Sequence, residues 1–382
     1  MKNAEDVTHS LNCIDLFAGA GGFSLAARLA GLSVRLAIEN NGHAVSTYRR
    51  NICAGQPLPV LKCEDISTLC PESLNSEIYG EGESCDLLLG GPPCQGFSSH
   101  RLHDSGVSDA RNDLIHVYFK FVKAFRPSVF LMENVPGMLW PRHATYLERF
   151  YLEGGQAGYR LCQPKILDAR DYGLPQRRKR VFILGIREDV GVLADNWWPE
   201  PSHGSKAARE VNPALKPWNN CKSAFAPAPP NDVNDVHMNH GEALRAAFEQ
   251  TPANGGRRKD SGRTLPCHVE HDGHKDVYGR IDPSQPAPTM TTACINPSKG
   301  RFLHPLEHHG ITVRQAARLQ TFPDNFVFDG GLISAGQQIG NAVPVMLGKV
   351  LIEHLIPTLV KSPQRVWSVS AKDENMIRKL VN

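Results

Sequence analysis

From residue 11 to about 186 the chain repeats one theme: a short apolar run, then a stretch whose apolar residues fall at helical spacing. The runs are LNCIDLF (11–17), SVRLAIE (33–39), CDLLLG (85–90), SVFLMEN (128–134) and RVFILGI (180–186). At 5–7 residues they are too short for buried helices, and their near-continuous apolarity fits strands covered on both faces. Strands separated by helical patterns such as FSLAARLAGL predict an α/β fold, with a mostly parallel sheet and helices on both sides.

The theme breaks after Arg187. Residues 195–290 hold 12 of the 28 prolines and, apart from EALRAAFEQ (242–250), lack helical periodicity. Trp and Phe persist there, so this stretch predicts a loop-rich folded unit rather than a linker. Helical patterning returns at 311–320 and 344–356. With 382 residues, two domains are expected, or one large and one small.

The ten cysteines include no CxxC pair, and the cluster Cys267, His268, His271 and His274 matches no common zinc spacing, so no metal is expected. The amino-terminal residues lack a signal-peptide core, and the most apolar run, 350–360, is interrupted by Glu353, His354 and Pro357. A monomeric, cytoplasmic protein without membrane association is the expectation. Net charge is only +3, which does not mark a nucleic-acid binder. Residues 160–187, however, carry eight Lys or Arg against two Asp, a basic strip of +6 beside the last strand.

The first strand leads into Asp15-Leu16-Phe17-Ala18-Gly19-Ala20-Gly21-Gly22, a turn that lets a ligand approach the strand ends, where open α/β sheets bind cofactors. Its GxGG spacing is not the GxGxxG of a dinucleotide fold, which argues against a nicotinamide-dependent dehydrogenase. Glu39 ends the second run, where a carboxylate can accept hydrogen bonds from a ribose, and Asp65-Ile66 offers a third contact. Together they favour an adenosine-containing ligand. The run CDLLLG is followed by Gly90-Gly91-Pro92-Pro93-Cys94-Gln95-Gly96-Phe97-Ser98, in which two prolines fix the backbone before Cys94. A cysteine so braced at the ligand edge is presented rather than buried, as nucleophilic catalysis requires.

Phe17-Ala18-Gly19 with Gly21-Gly22, GGPPCQGFS, Glu133-Asn134-Val135, the basic segment Gln176 to Arg180, and Gln338 to Pro344 together resemble, in order, the motifs of the C5-cytosine DNA methyltransferases. The resemblance runs from about residue 11 to 357 and implies a Rossmann-like fold. It also implies S-adenosylmethionine as methyl donor, held by Phe17, Gly19, Gly21, Glu39, Asp65, Ile66, Pro92 and Asn341. Double-stranded DNA is the implied partner, with a restriction endonuclease acting independently as a further one. By the same resemblance the Cys94 thiolate adds to carbon 6 of a cytosine flipped out of the duplex, which makes carbon 5 nucleophilic. Glu133 meets N3 and the exocyclic amine, and a desolvated pocket would raise its pKa so that it can donate. Arg180 reaches O2, and Arg178 supports the nucleophile pocket.

The polar stretch 98–112, with Ser98 and Arg101, resembles the loop that closes over the flipped base. Residues 188–305 resemble the family's target-recognition domain, inserted into the larger domain, which the resemblance makes discontinuous: 1–187 and 329–382, with a hinge at 306–328. Arg257 and Arg258 belong to a basic run suited to phosphate contact, and Tyr278-Gly279-Arg280 and Pro288–Thr291 resemble patterns of one bacterial branch, which makes Arg280 a DNA-binding candidate. His309 departs from the arginine common there. Two rival functions are a tRNA-methylating enzyme of the same family and a catalytically silent DNA-binding regulator. The first lacks its Cys-Phe-Thr segment here, and the second should have lost the thiol, glutamate or arginine.

Overall fold

The computed structural model describes residues 11–55, 57–93, 114–191, 196–261 and 276–360. The first half alternates β1 (Asn12–Leu16), α1 (Gly22–Leu29), β2 (Ser33–Ile38), α2 (Gly42–Tyr48), β3 (Val60–Lys62), α3 (Pro71–Ile78), β4 (Leu87–Gly90), α4 (Leu114–Phe125), β5 (Val129–Asn134) and α5 (Ala144–Gln156). β6 (Tyr159–Leu161), β7 (Lys165–Asp168) and β8 (Lys179–Arg187) complete an eight-stranded sheet of order β3-β2-β1-β4-β5-β8-β6, with β7 also beside β8.

β1 to β5 are mutually parallel, whereas β8 runs antiparallel to β5, β6 and β7. The apolar run at 180–186 alone would suit another parallel strand. Direction is set by the connection: only the short stretch 169–178 separates β7 from β8, with no crossover helix to return the chain parallel. The five expected strands are all present. β3, β6 and β7 are short and partly exposed, so they left little apolar signal.

The alternation of side chains divides the core. Cys13, Leu87, Leu89, Val129, Leu131, Phe182 and Leu184 face one cluster, which also takes in α1 residues Phe23, Ala26 and Ala27. Ile14, Leu16, Leu88, Phe130, Met132, Val181 and Ile183 face the other, filled by α3 and by the α4 aromatics Tyr118, Phe119 and Phe121. Every residue of β4 and β5 is buried, as expected of strands covered on both faces.

Beyond β8, regular structure is sparse: α6 (Lys206–Val211), a two-residue strand pair β9 (His203–Gly204) and β10 (Lys216–Pro217), and α7 (Glu242–Gln250). Buried Trp197, Phe248, Ile281 and Met290 give the described part of this stretch a packed interior. α8 (Val313–Leu319) opens with a capping box between Thr312 and Gln315. The Arg314 Nε, fully buried, pairs with Asp232 at 2.5 Å and so fastens this helix to the preceding stretch. His309, where an arginine was the family expectation, stacks on His237 with ring centroids 3.8 Å apart.

α9 (Gly331–Asn341) and α10 (Val345–Val360) return to the sheet. The 30-residue stretch 331–360 has the length and apolarity to cross a membrane, which the single run 350–360 did not suggest, but half of its most apolar window is buried. Its burial is against the core: α10 packs on α1, so closely that a Cβ at Gly348 would come within 2.8 Å of the Ala26 Cβ.

Candidate active site

The strand order grows outward from β1 in both directions, which leaves a crevice at the carboxyl ends of β1 and β4. A cavity of about 820 Å³ opens there. The turn after β1 supplies Phe17, Gly19 and Gly22; the end of β2 supplies Glu39; the turn after β3 supplies Asp65 and Ile66; the segment after β4 supplies Gly91, Pro92 and Pro93. Glu133, Asn134 and Val135 at the end of β5, Arg180 on β8, and Ser334, Gln337 and Asn341 on α9 close it.

The glycine turn is held by a carboxylate. The Glu39 Oε2 accepts from the Gly19 backbone N–H at 2.8 Å, and its Oε1 accepts from that of Asn41, also at 2.8 Å. Asn41 in turn caps α2, accepting from the N–H groups of His43 and Ala44. Gly21 does not line the cavity, contrary to the resemblance. At φ 96° it takes the left-handed region that favours glycine, and a Cβ there would meet the Tyr48 ring at 3.0 Å, so it serves the turn and the packing behind it.

Beneath the turn, buried Asp15 accepts from the Ser24 hydroxyl at 2.6 Å, and the Tyr48 hydroxyl donates to Ser24 Oγ at 2.7 Å. Burial raises the Asp15 pKa to about 7. Asp65 behaves oppositely: hydrogen bonds from the Ser67 hydroxyl and N–H lower its pKa.

At the other end of the cavity, the Arg180 Nε stands 2.8 Å from the Glu133 Oε1, both side chains being almost buried. Burial raises the Glu133 pKa, and the nearby Arg180 and Arg178 charges only partly offset it. The Asn134 amide donates to the Pro92 carbonyl at 3.3 Å, and a Cβ on Gly91 would lie 3.4 Å from the Glu133 Oε2. The segment that leads into Cys94 is therefore clasped against Glu133. Cys94 itself, with Ser98, Arg101 and the 98–112 stretch, lies outside the described residues, as does the Cys267–His274 cluster.

Two further candidates lie outside the cavity wall. Arg178 is fully buried and does not line the cavity; its guanidinium donates to the carbonyls of Met290, Gly340 and Ala342. Arg280 cannot read DNA from where it sits. It is 1% exposed, and its guanidinium donates to the carbonyls of Thr251, Phe248, His304 and Glu307 and lies 3.0 Å from the His308 Nδ1. Burying an arginine requires such a full set of acceptors, and this one holds the loops of the insert together. Arg257 is exposed, and Arg258 begins a 3-10 turn over 258–261.

Sequence reasoning missed Asn40, Asn41, Glu64, Ser334 and Gln337 in the cavity wall. Only Asn41 carried a signal, as an N-cap residue ahead of a helical stretch.

A family model for the C-5 cytosine-specific DNA methylase matches residues 11–357. The Type II methyltransferase M1.HphI of Haemophilus parahaemolyticus is 33% identical over 348 residues, covering 91% of this chain and 87% of its own. M.DdeI of Desulfomicrobium norvegicum is 31% identical over 385 residues, covering 90% and 88%. Among solved structures, a prophage-encoded protein of E. coli described as a DNA modification methyltransferase superposes with a TM-score of 0.65 at 26% identity, covering 92% of this chain and 100% of its own. The Entamoeba histolytica methyltransferase EhMeth shares the fold, with a TM-score of 0.62 at 14% identity, covering 92% and 99%. From residue 11 to residue 357, with the Rossmann-like sheet and its cavity inside that span, the chain belongs to the C-5 cytosine-specific DNA methylase family.

Proposed function

We propose that this enzyme transfers a methyl group from S-adenosylmethionine to carbon 5 of a cytosine flipped out of double-stranded DNA, through a covalent bond between Cys94 and carbon 6. The observation that carries the reading is the Glu133–Arg180 pair, placed in one cavity with the Gly91–Pro93 segment that precedes Cys94.

The cavity suits the methyl donor by charge as well as by shape. Among the described residues its wall holds the carboxylates Glu39, Glu64 and Asp65, besides Asp15 and Glu133, which burial inclines to hold a proton, and a single cation, Arg180, already paired with Glu133. That balance repels a phosphate-bearing nucleotide and favours a molecule with a sulfonium and an ammonium group. Phe17, Gly19, Glu39, Asp65, Ile66, Pro92 and Asn341 would hold it; bound there, it supplies an electrophilic methyl group.

The rest of the chemistry falls to this chain. The Cys94 thiolate forms a bond to carbon 6, and the ring's electrons shift toward N3 and O2. Glu133, buried and so inclined to hold a proton, donates to N3. The guanidinium of Arg180 meets the charge at O2 without reorganisation, because Glu133 already fixes it. After methylation, loss of the carbon 5 proton to water and return of the N3 proton to Glu133 let the Cys94–carbon 6 bond break and give back the thiolate. Exposed Arg257 and, within the 160–187 strip, exposed Arg160, Arg177 and Lys179 are the phosphate-facing charges, whereas buried Arg178 and Arg187 and the Glu133-bound Arg180 are not; residues 188–305 read the sequence.

Expression in a methylation-free host, followed by bisulfite sequencing of its DNA, tests the reading. Protected cytosines in one recurring sequence are expected; a genome with none would overturn it.

A further inference from the structure

Asn341 reaches the cavity from the end of α9, and the carbonyls on either side of it, those of Gly340 and Ala342, both accept from the Arg178 Nη2, at 2.8 and 2.9 Å. The Nη1 of the same guanidinium donates to the Met290 carbonyl of the insert at 2.8 Å. Gln176 grips the same insert residue from its other side: its Oε1 accepts from the Met290 N–H at 2.8 Å, while its Nε2 donates to the Leu319 carbonyl and to Gln320 Oε1. Gln320 closes the ring, donating through Nε2 to the Ile339 carbonyl at 2.6 Å and the Ala342 carbonyl at 3.1 Å. Gln176, Arg178 and Gln320 are all fully buried. The backbones they join touch directly, since a Cβ at Gly340 would fall 2.3 Å from the Thr291 carbonyl. Arg180, which faces Glu133, stands two residues along the chain from Arg178.

We infer that Arg178, with Gln176 and Gln320, is a positioning residue that couples the methyl-donor cavity to the insert, so that each ligand binds more tightly once the other is seated. The inference rests on the function proposed above, which gives the cavity its donor and the insert its DNA. A guanidinium is a rigid fork and satisfies its carbonyls only when all of them are in place. A ligand that fixes Asn341 therefore fixes the Gly340 and Ala342 carbonyls, then the fork, then the Met290 segment of the insert. Ordering supplied by the first ligand is not required again of the second, and linkage makes the effect equal in both directions.

The test is to titrate S-adenosylhomocysteine with and without a duplex carrying the mapped target sequence, and the duplex with and without S-adenosylhomocysteine. The native protein should show the same tightening in both directions, about fivefold or more. Arg178→Lys, which keeps the charge and loses the fork, should bring that factor close to one while leaving the affinity for S-adenosylhomocysteine alone within about threefold. Gln320→Ala is the second variant, and should lower the factor even if Arg178→Lys does not fold. A merely structural role would weaken both ligands alike and leave the factor unchanged, which overturns the inference, as would a native protein with no coupling. Failure of S-adenosylhomocysteine to bind at all would instead strike the proposed function.

Discussion

The Arg180 Nε lies 2.8 Å from the Glu133 Oε1, yet Glu133 still has a raised pKa, because burial outweighs the ion pair. A donor to N3 must carry a proton, so kcat/KM is expected to fall on the alkaline side as Glu133 ionises. Glu133→Gln removes the proton and should lower kcat by roughly 10²- to 10⁴-fold and abolish that limb. Arg180→Ala removes a charge that holds the pKa down, so the limb should move to higher pH on a lower overall rate. A pH–rate profile on a target duplex checks both.

Glu39 holds the turn of Gly19 and the start of α2 with its two oxygens. Glu39→Ala removes both charge-assisted bonds as well as the acceptor proposed for the donor's ribose. The KM for S-adenosylmethionine should rise about 10- to 100-fold, with DNA affinity measured without the donor unchanged. Steady-state kinetics and a gel-shift assay separate the two.

Arg257 and Arg280 should respond oppositely to removal. Arg257 is exposed, so Arg257→Ala should reduce the slope of log affinity for DNA against log salt by about 0.9. Arg280→Ala removes the donor that serves four carbonyls, three of them in buried bonds, and should destabilise the fold by about 3 kcal/mol or more. Any molecules that stay folded should keep the native salt slope.

Asp15 gives the fold a pH dependence of definite sign. Its pKa is about 7 in the folded chain against an ordinary 3.8, so the native state holds the proton more tightly. The stabilisation is complete below about pH 4 and is lost as pH rises toward 7. Asp15→Asn mimics the protonated form. Chemical denaturation without ligand should find the variant equal to the native protein near pH 4 and about 2–4 kcal/mol more stable above pH 8.

The parts of this molecule that were legible in the sequence are those where one residue type answers one local demand. The apolar runs 33–39 and 128–134 had to be covered strands, and Glu39 and Glu133 end them at the cavity. What stayed illegible depends on contacts across the chain. Arg178, Arg180 and Arg280 look alike in sequence, but one holds carbonyls 112 to 164 residues away, one faces Glu133, and one is sealed inside the insert. Gly21 and Gly22 also read alike, yet Gly22 lines the cavity while Gly21 turns toward Tyr48. Ser334 and Gln337 reach the cavity because α9 returns to the sheet after the insert, a return that the motif Gln338 to Pro344 implied for Asn341 but that marks neither of these two residues.

The most direct measurement replaces the target cytosine of a duplex by 5-fluorocytosine and adds S-adenosylmethionine. Fluorine cannot leave carbon 5 as the proton does, so the bond from the Cys94 sulfur to carbon 6 cannot break after methyl transfer. The native protein should yield a denaturation-resistant protein–DNA adduct and Cys94→Ala none. An adduct that persists in Cys94→Ala, or full methylation of ordinary DNA by that variant, would contradict the account.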